Sequence, residues 1–448
     1  MSQFDAIVVG GGCAGLSAAV RLAGRGARVL VLEAKARLGG RATAFRDRDT
    51  GDNVDNGQHV LLGCYHETFA FLREVGAFDR VRVQPQLAVT MIDTRGRRSR
   101  LVCPALPPPL HLVAGVLEWD ALSWRDRLSV LAMSTPLKLA RRALAPGSTV
   151  HAASPGETVE GFLVRNGQTP RIREMLWNPL ALAALNQAPD HAAAPPFARV
   201  LGEMFGDDPR AAAIALPVRP LPEVYAEPAR EYIVAHGGEV RTGAAAKIAI
   251  GGDVVVGVEG NGERWSVNRV VCAVPWFAIA DVFYGTPAPL ADTLARASRM
   301  AASPIVTVNL WLDRRLVDEP FVGLPGRSMQ WVFDKGVIFG GANGGPLSLV
   351  SSGAASIVSR SNDELIALAY DELASALPAA RSARLLRGSV VREPRATFSL
   401  AVGQPERPRT ETGVVGLALA GDWIDTGLPA TIESAVRSGH SAAELLKR

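Results

Sequence analysis

Cysteine is scarce in this chain. Its 448 residues hold four, Cys13, Cys64, Cys103 and Cys272. They are scattered without metal-ligand spacing, and Cys13 sits inside a glycine turn, which argues against a disulfide framework and for a reducing compartment. An excess of one charge is also lacking. The formal net charge is +4, too small and too dispersed for a nucleic-acid surface, though compatible with an anionic membrane. Nothing basic precedes the first apolar run, so no secretory leader is expected. No run suits a membrane span either. Residues 101–117 come nearest, but the run is short and Pro107, Pro108 and Pro109 cannot lie inside a spanning helix. Internal repeats are not evident. What is plentiful is apolar material, 48% of the chain, enough for a large core and two domains.

The stretch from Phe4 to Phe45 organises the rest. Phe4-Asp5-Ala6-Ile7-Val8-Val9 reads as a buried strand that breaks into Gly10-Gly11-Gly12-Cys13-Ala14-Gly15. A helical pattern follows (Leu16, Ala19, Val20, Leu22, Ala23), then a second apolar run, Ala27 to Leu32, ending on Glu33. Strand, glycine turn, helix, strand and acid together form the context in which G-x-G-x-x-G signifies dinucleotide binding. Gly10 permits the tight turn, Gly12 lets backbone N–H groups reach a pyrophosphate, and Gly15 lets helix and strand pack closely. The helix N-terminus adds partial positive charge. Glu33 is placed to accept hydrogen bonds from a ribose diol, which favours FAD or NAD over NADP. Leu38-Gly39-Gly40-Arg41-Ala42-Thr43 follows directly. It supplies a second close backbone approach and an arginine for phosphate, a segment that NAD enzymes do not need. The cofactor expected is FAD.

A second cofactor signal lies near the C-terminus. Gly416 to Ala420 reads as a buried strand, followed by Gly421-Asp422, a polar loop, and a helix from Ala430 to Leu446. The carboxylate of Asp422 can reach the ribityl or phosphate end of a flavin, and the helix N-terminus can face the pyrimidine oxygens of its ring.

Between these ends, residues 66–80 read as a helix. Leu87 to Ile92 and Ser99 to Cys103 read as a hairpin around Asp93-Thr94-Arg95-Gly96-Arg97-Arg98, whose arginines suit a solvated turn or, secondarily, a phosphate. Residues up to Leu144 read as amphipathic helices carrying Trp119, Trp124, Met133, Lys138, Arg141 and Arg142, a pattern that fits either a helix in a membrane interface or a core helix pair. Proline-broken helices follow over 154–210, then a helix from Leu221 to Ala235 and a strand series through Val274. Strands are expected over 303–313, 328–340 and 347–352, with a helix from Asp363 to Leu377.

Asp55-Asn56-Gly57-Gln58-His59 and Trp177-Asn178-Pro179-Leu180-Ala181-Leu182-Ala183-Ala184-Leu185-Asn186 narrow the reading further. From end to end the chain resembles the flavin-dependent amine oxidase and carotenoid desaturase superfamily. In these two runs it resembles the bacterial hydroxysqualene dehydroxylases, also called squalene-associated FAD-dependent desaturases. The resemblance implies an α/β fold, with a Rossmann-type FAD-binding domain (residues 1–65, 221–280 and 405–448) interleaved with an α+β substrate domain (66–220 and 281–404). Residues 101–145 are the expected membrane contact. The resemblance further implies a main-chain contact to adenine near Ala245, backbone contacts from Thr431 and Ile432 to the flavin ring, and a position beside that ring for Gly57 and Gln58. An amine oxidase carries an aromatic cage, one member of which lies two positions before the glutamate of the closing helix. Here that position is Thr431, counting back from Glu433, so amine oxidation ranks low. The expected substrate is a long apolar isoprenoid. The expected location is cytoplasmic, peripheral at the inner face of the cell membrane, with no nucleic-acid partner and an unidentified electron donor.

For the proton donor the expectation is His59 with Gln58 as its hydrogen-bonding partner, since neutral-pH proton transfer suits histidine. Both could instead bind FAD or brace the turn, and Tyr65, His66, Asp425 and Glu433 are rivals. Asn178 and Asn186 could hold a substrate hydroxyl or cap helices, with capping favoured for Asn186.

Overall fold

The computed structural model describes residues 3–145, 147–340 and 345–447. Its first layer is a parallel sheet in the order Glu239–Thr242, Val29–Glu33, Ala6–Val9, Val270–Cys272 and Leu417–Leu419. Ala6–Val9 and Val29–Glu33 are buried throughout, as parallel strands covered on both faces must be. Alignment of Ala6 with Val29 and of Val9 with Leu32 brings both C-terminal ends to one edge. There the Gly10 N–H donates to the Leu32 carbonyl at 2.8 Å. The helix Cys13–Ala23 packs on this sheet and against the closing helix Ile432–Leu445. Gly15 makes that approach feasible, because a Cβ there would strike the Gly10 carbonyl oxygen. The helix His66–Glu74, counted above with the substrate-facing half, also packs on the closing helix, and its Phe69, Phe71 and Leu72 join the same core. Of the strand series after residue 238, only Glu239–Thr242 and Val270–Cys272 join the parallel sheet. Ala246–Gly251, Val254–Gly260 and Glu263–Trp265 form a separate antiparallel meander.

The second layer is a seven-stranded sheet in the order Leu385–Phe398, Ala302–Leu312, Leu347–Ser351, Trp331–Asp334, Phe321–Gly323, Ala88–Ile92 and Arg98–Val102. It is antiparallel except where Gly323 meets Met91. Its strands alternate with period two. Val306, Val308, Leu310, Val332 and Leu349 pack beneath the helix Asn362–Ala376, which opens on a capping box between Ser361 and Glu364. Ile305, Trp331, Phe333, Val350, Val89 and Met91 face a cavity instead. Residues 328–340 are not one strand. Asp334 accepts the Val337 N–H at 3.0 Å and starts a short helix, Lys335–Phe339.

Helices cover the far end of this sheet. Residues 110–142 form Leu110–Glu118, Trp124–Ser129, a 3-10 turn Val130–Met133, and Ser134–Arg142. Trp119 and Met133 are core residues, buried to 1% and 0% exposure, whereas Trp124 is 68% exposed. The outer side of this segment also carries Leu110, Leu128 and Leu131, all exposed, as is Leu106 just before it. Among the described residues, no helix is long and apolar enough to cross a membrane.

Candidate functional site

A cavity of about 670 Å³ begins at the C-terminal edge of the parallel sheet and extends to Leu112 on the helix Leu110–Glu118. At its sheet end it is lined by Gly10, Gly12, Glu33, Gly39, Gly40, Arg41, Gly57, Gln58, His59, Ala245, Gly421, Asp422, Thr431 and Ile432. Four stretches far apart in the chain therefore meet on one space. Gly15 does not line it; its part is the helix–turn approach already described.

Each of these segments is fixed by specific bonds. The Glu33 carboxylate accepts the Gly11 N–H at 2.7 Å and the Lys35 N–H at 2.8 Å. The Tyr225 hydroxyl hydrogen-bonds to the Gly39 and Ala42 carbonyls at 2.8 and 2.6 Å, holding the second glycine segment. Arg41 pairs with Asp422 at 2.5 Å, donates to the Ala396 carbonyl at 2.9 Å, and lies over the Trp276 ring. Gly12 and Gly40 face each other, and the atom nearest to a Cβ at Gly12 would be the Gly40 Cα, 3.9 Å away. Two bare backbones thus border a slot into which no side chain intrudes. Together with a helix N-terminus, a guanidinium and an acid at the strand end, this slot fits a dinucleotide pyrophosphate and its ribose. At the other end of the cradle, Thr431 caps the closing helix by accepting the Ser434 N–H at 3.1 Å, and Thr431 and Ile432 both line the cavity.

The turn 55–59 is anchored from the second sheet. Lys335, only 3% exposed, pairs with Asp55 and donates to the Gln58 amide oxygen. The Gln58 amide nitrogen donates to the His59 carbonyl at 3.1 Å, so both ends of that amide brace the turn. Asn56 donates to the Arg41 carbonyl at 3.2 Å and to Glu393 at 2.9 Å. His59 lines the cavity, and its buried Nδ1 has no protein partner. Burial lowers its pKa, the Asp55 carboxylate opposes this, and the Lys335 and Arg41 cations add to the lowering. A hydrogen bond to the Gly57 backbone also opposes the lowering, so burial is the cause that prevails, and Nδ1 is the ring atom left without a protein partner.

The rival residues separate cleanly. Tyr65 lines the cavity, whereas His66, Asp425 and Asn178 do not. Asp425 pairs with Arg407 at 3.1 Å. Glu433 is 1% exposed and accepts the Glu67 N–H, the Thr68 N–H and the Thr68 hydroxyl at 3.0, 2.9 and 2.7 Å, acting as a brace between helices. Asn186 ends the helix Asn178–Leu185 with φ of 49°. Its side chain is fully engaged with the Ser303 carbonyl, Thr397 and the Gly353 N–H. Sequence reasoning missed Lys335, Tyr225, Glu393 and Trp276. None carries a local signal, because each acts on a partner far away in the chain.

Away from the glycines the cavity changes character. Side chains reaching it from the seven-stranded sheet and from residues 176–214, among them Val89, Leu176, Leu180, Phe205, Phe321 and Phe333, are uncharged; Glu393 is the exception and is held by Asn56. Such a wall takes a long apolar molecule and keeps water from it.

Comparison with known proteins agrees with this geometry. Residues 13–447 match the family of flavin containing amine oxidoreductases. The chain is 31% identical to a hydroxysqualene dehydroxylase of Rhodopseudomonas palustris, over 98% of this chain and 97% of that one. It is 27% identical to a 15-cis-phytoene desaturase of Glycine max, over 100% of this chain and 80% of that one. Its fold is similar to that of an oxidoreductase from Methanosarcina mazei, with a TM-score of 0.73 at 17% identity, covering 98% and 99% of the two chains. The chain belongs to the flavin containing amine oxidoreductase family and is an FAD-dependent oxidoreductase.

Proposed function

We propose that the protein reduces hydroxysqualene to squalene, a step of squalene and hopanoid biosynthesis. Similarity to the Rhodopseudomonas palustris enzyme supports the reaction. The observation that carries the reading is the apolar part of the cavity, which continues directly from the cofactor cradle at Gln58 and His59.

Bound and reduced, FAD supplies a hydride. The chain's own residues do the rest. The N–H groups at Gly12 and at the start of the helix Cys13–Ala23, with Arg41, hold the pyrophosphate. Glu33 holds the ribose, the backbone near Ala245 the adenine, and Asp422 the ribityl chain. Thr431, Ile432 and Gly57 border the ring. Hydroxide leaves an allylic carbon poorly, so its departure needs a hydrogen-bond donor. His59 offers its N–H to that oxygen, and Gln58, pinned by Lys335, keeps the turn in place. Leu176, Leu180, Phe321 and Phe333 hold the isoprenoid in one orientation and exclude nucleophiles from a carbon that becomes electron-poor.

So apolar a substrate is collected from lipid. We assign lipid contact to Leu106, Leu110, Trp124, Leu128 and Leu131, with Arg125, Lys138 and Arg142 nearby at the surface. Leu112, two positions beyond the exposed Leu110, lines the cavity, so the same helix reaches from this patch to the substrate. We infer a cytoplasmic protein, peripheral at the inner face of the membrane, with a separate reductase or a quinone as electron source.

The test is anaerobic. Reduced holoprotein mixed with hydroxysqualene should reoxidise its flavin with one squalene formed per flavin. The second reading, desaturation of a polyisoprenoid, is favoured by the similarity to the soybean enzyme. It requires oxidised flavin to bleach on adding a carotenoid precursor, and that result, with no squalene formed, would replace the first reading.

A further inference from the structure

A second, smaller cavity of about 100 Å³ lies behind the flavin-facing wall. It shares Leu62, Tyr65, Leu180, Ala184 and Thr431 with the large cavity, so the two are separated by the thickness of those side chains. Its far side is charged. Glu203, Glu433 and Arg437 line it, with Arg437 lying 3.7 Å from Glu203 and 3.6 Å from Glu433. The Glu203 and Arg437 side chains are 18% and 25% exposed, so this end meets solvent, while Tyr65 and Thr431 close the other. The Tyr65 and Thr431 side chains both stand on this partition.

The reductive reading creates a traffic problem. One C–O bond breaks and one C–H bond forms. The carbon gains the electron pair given up by the reduced flavin, and the departing hydroxyl must gain a proton to leave as water. An isoprenoid filling the apolar part of the large cavity blocks both proton and water on that side. We propose that the smaller cavity is the port by which the proton arrives and the water departs, with the Tyr65 hydroxyl as relay between the two chambers. This rests on the reductive reading. Tyr65 gives its proton to the departing oxygen and takes one from water held by Glu203 and Arg437. Burial, with Cys64 and Glu433 adjacent, raises the phenol pKa, so the phenolate does not accumulate and the group works by passing a proton through.

The test uses reduced holoprotein in anaerobic stopped flow, following flavin reoxidation with hydroxysqualene and, separately, with 1,4-benzoquinone, whose conversion to hydroquinone also consumes a proton. Y65F should slow both reactions at least tenfold, leave hydroxysqualene affinity and the flavin spectrum unchanged, and recover rate with added formic acid, which is small enough for the cavity. R437M, at the solvent end, should slow both reactions to a lesser degree. Wild-type speed in Y65F, or slowing without rescue and with weakened binding, overturns the port. If wild type forms no squalene, the reductive reading fails, and the quinone arm still decides for or against the port.

Discussion

At the scale of single residues, buried charge near the site is held either by an ion pair, as at Lys335 and Asp55, or by backbone N–H groups, as at Glu33. Lys335 and Asp55 form the deepest such pair near the site, at 3% and 7% exposure. Removing one member strands the other, at a cost of about 3–5 kcal/mol. Lys335→Met should therefore lower denaturant-derived stability by that order, and Lys335→Met combined with Asp55→Leu should recover most of it. Equal losses in the single and double variants would show that the pair is not coupled. His59→Ala should leave FAD bound and slow single-turnover formation of squalene by about a hundredfold; undiminished turnover removes His59 from the mechanism. Asp93 gives a pH prediction. Burial raises its carboxyl pKa, but Arg171 and the N–H groups of Arg95 and Arg97 outweigh that and hold it below its ordinary value. The stabilisation is complete above the unfolded value of about 4 and is lost as pH falls below it. Acid melting curves of Arg171→Met should accordingly fall less steeply below pH of about 4 than those of wild type.

Residues also show where sequence stops being legible. The glycine turn and Glu33 could be read because their chemistry is contiguous: a strand, a turn and a helix start within a few positions. Lys335 could not be read, since its partners Asp55 and Gln58 lie 280 and 277 positions away. Glu393 acts on Asn56 from 337 positions away. Only the docking of one sheet on the other brings them together.

At the scale of elements, periodicity was readable wherever an element is long enough to show it. The hairpin Ala88–Ile92 with Arg98–Val102 and the helix Asn362–Ala376 follow from alternation and from a Ser–Glu capping box. The helix Lys335–Phe339 does not, since Lys-Gly-Val-Ile-Phe over its five residues resembles a strand and only the Asp334 cap decides otherwise. The helices over 110–142 divide by residue in a way composition does not reveal, with Trp119 turned inward and Trp124 outward. This leads to a prediction for the outer patch. Trp124→Ser with Leu128→Ser should reduce co-sedimentation with anionic vesicles severalfold while leaving the melting temperature near that of wild type, because both side chains are already exposed. Unchanged vesicle binding would move the lipid contact elsewhere.

At the scale of the whole molecule, the two layers make one space. Chain segments from residues 10–14, 39–41, 57–59 and 421–432 converge on the cradle, while 87–112, 176–214 and 305–350 build its apolar extension. A cofactor contacting segments so far apart in sequence binds the native fold and not the unfolded chain. Free FAD at a hundred times its Kd should therefore stabilise the protein by about 2.7 kcal/mol, read as a rise in melting temperature; no rise would mean that the cradle does not take FAD. The most direct measurement of the central claim is a crystal structure of the holoprotein grown with squalene. The account predicts the flavin ring between Thr431 and the turn 57–59, with squalene extending from it past Leu176 and Phe333 toward Leu112. Squalene bound only outside that cavity, or a flavin ring sealed off from it, would contradict the account.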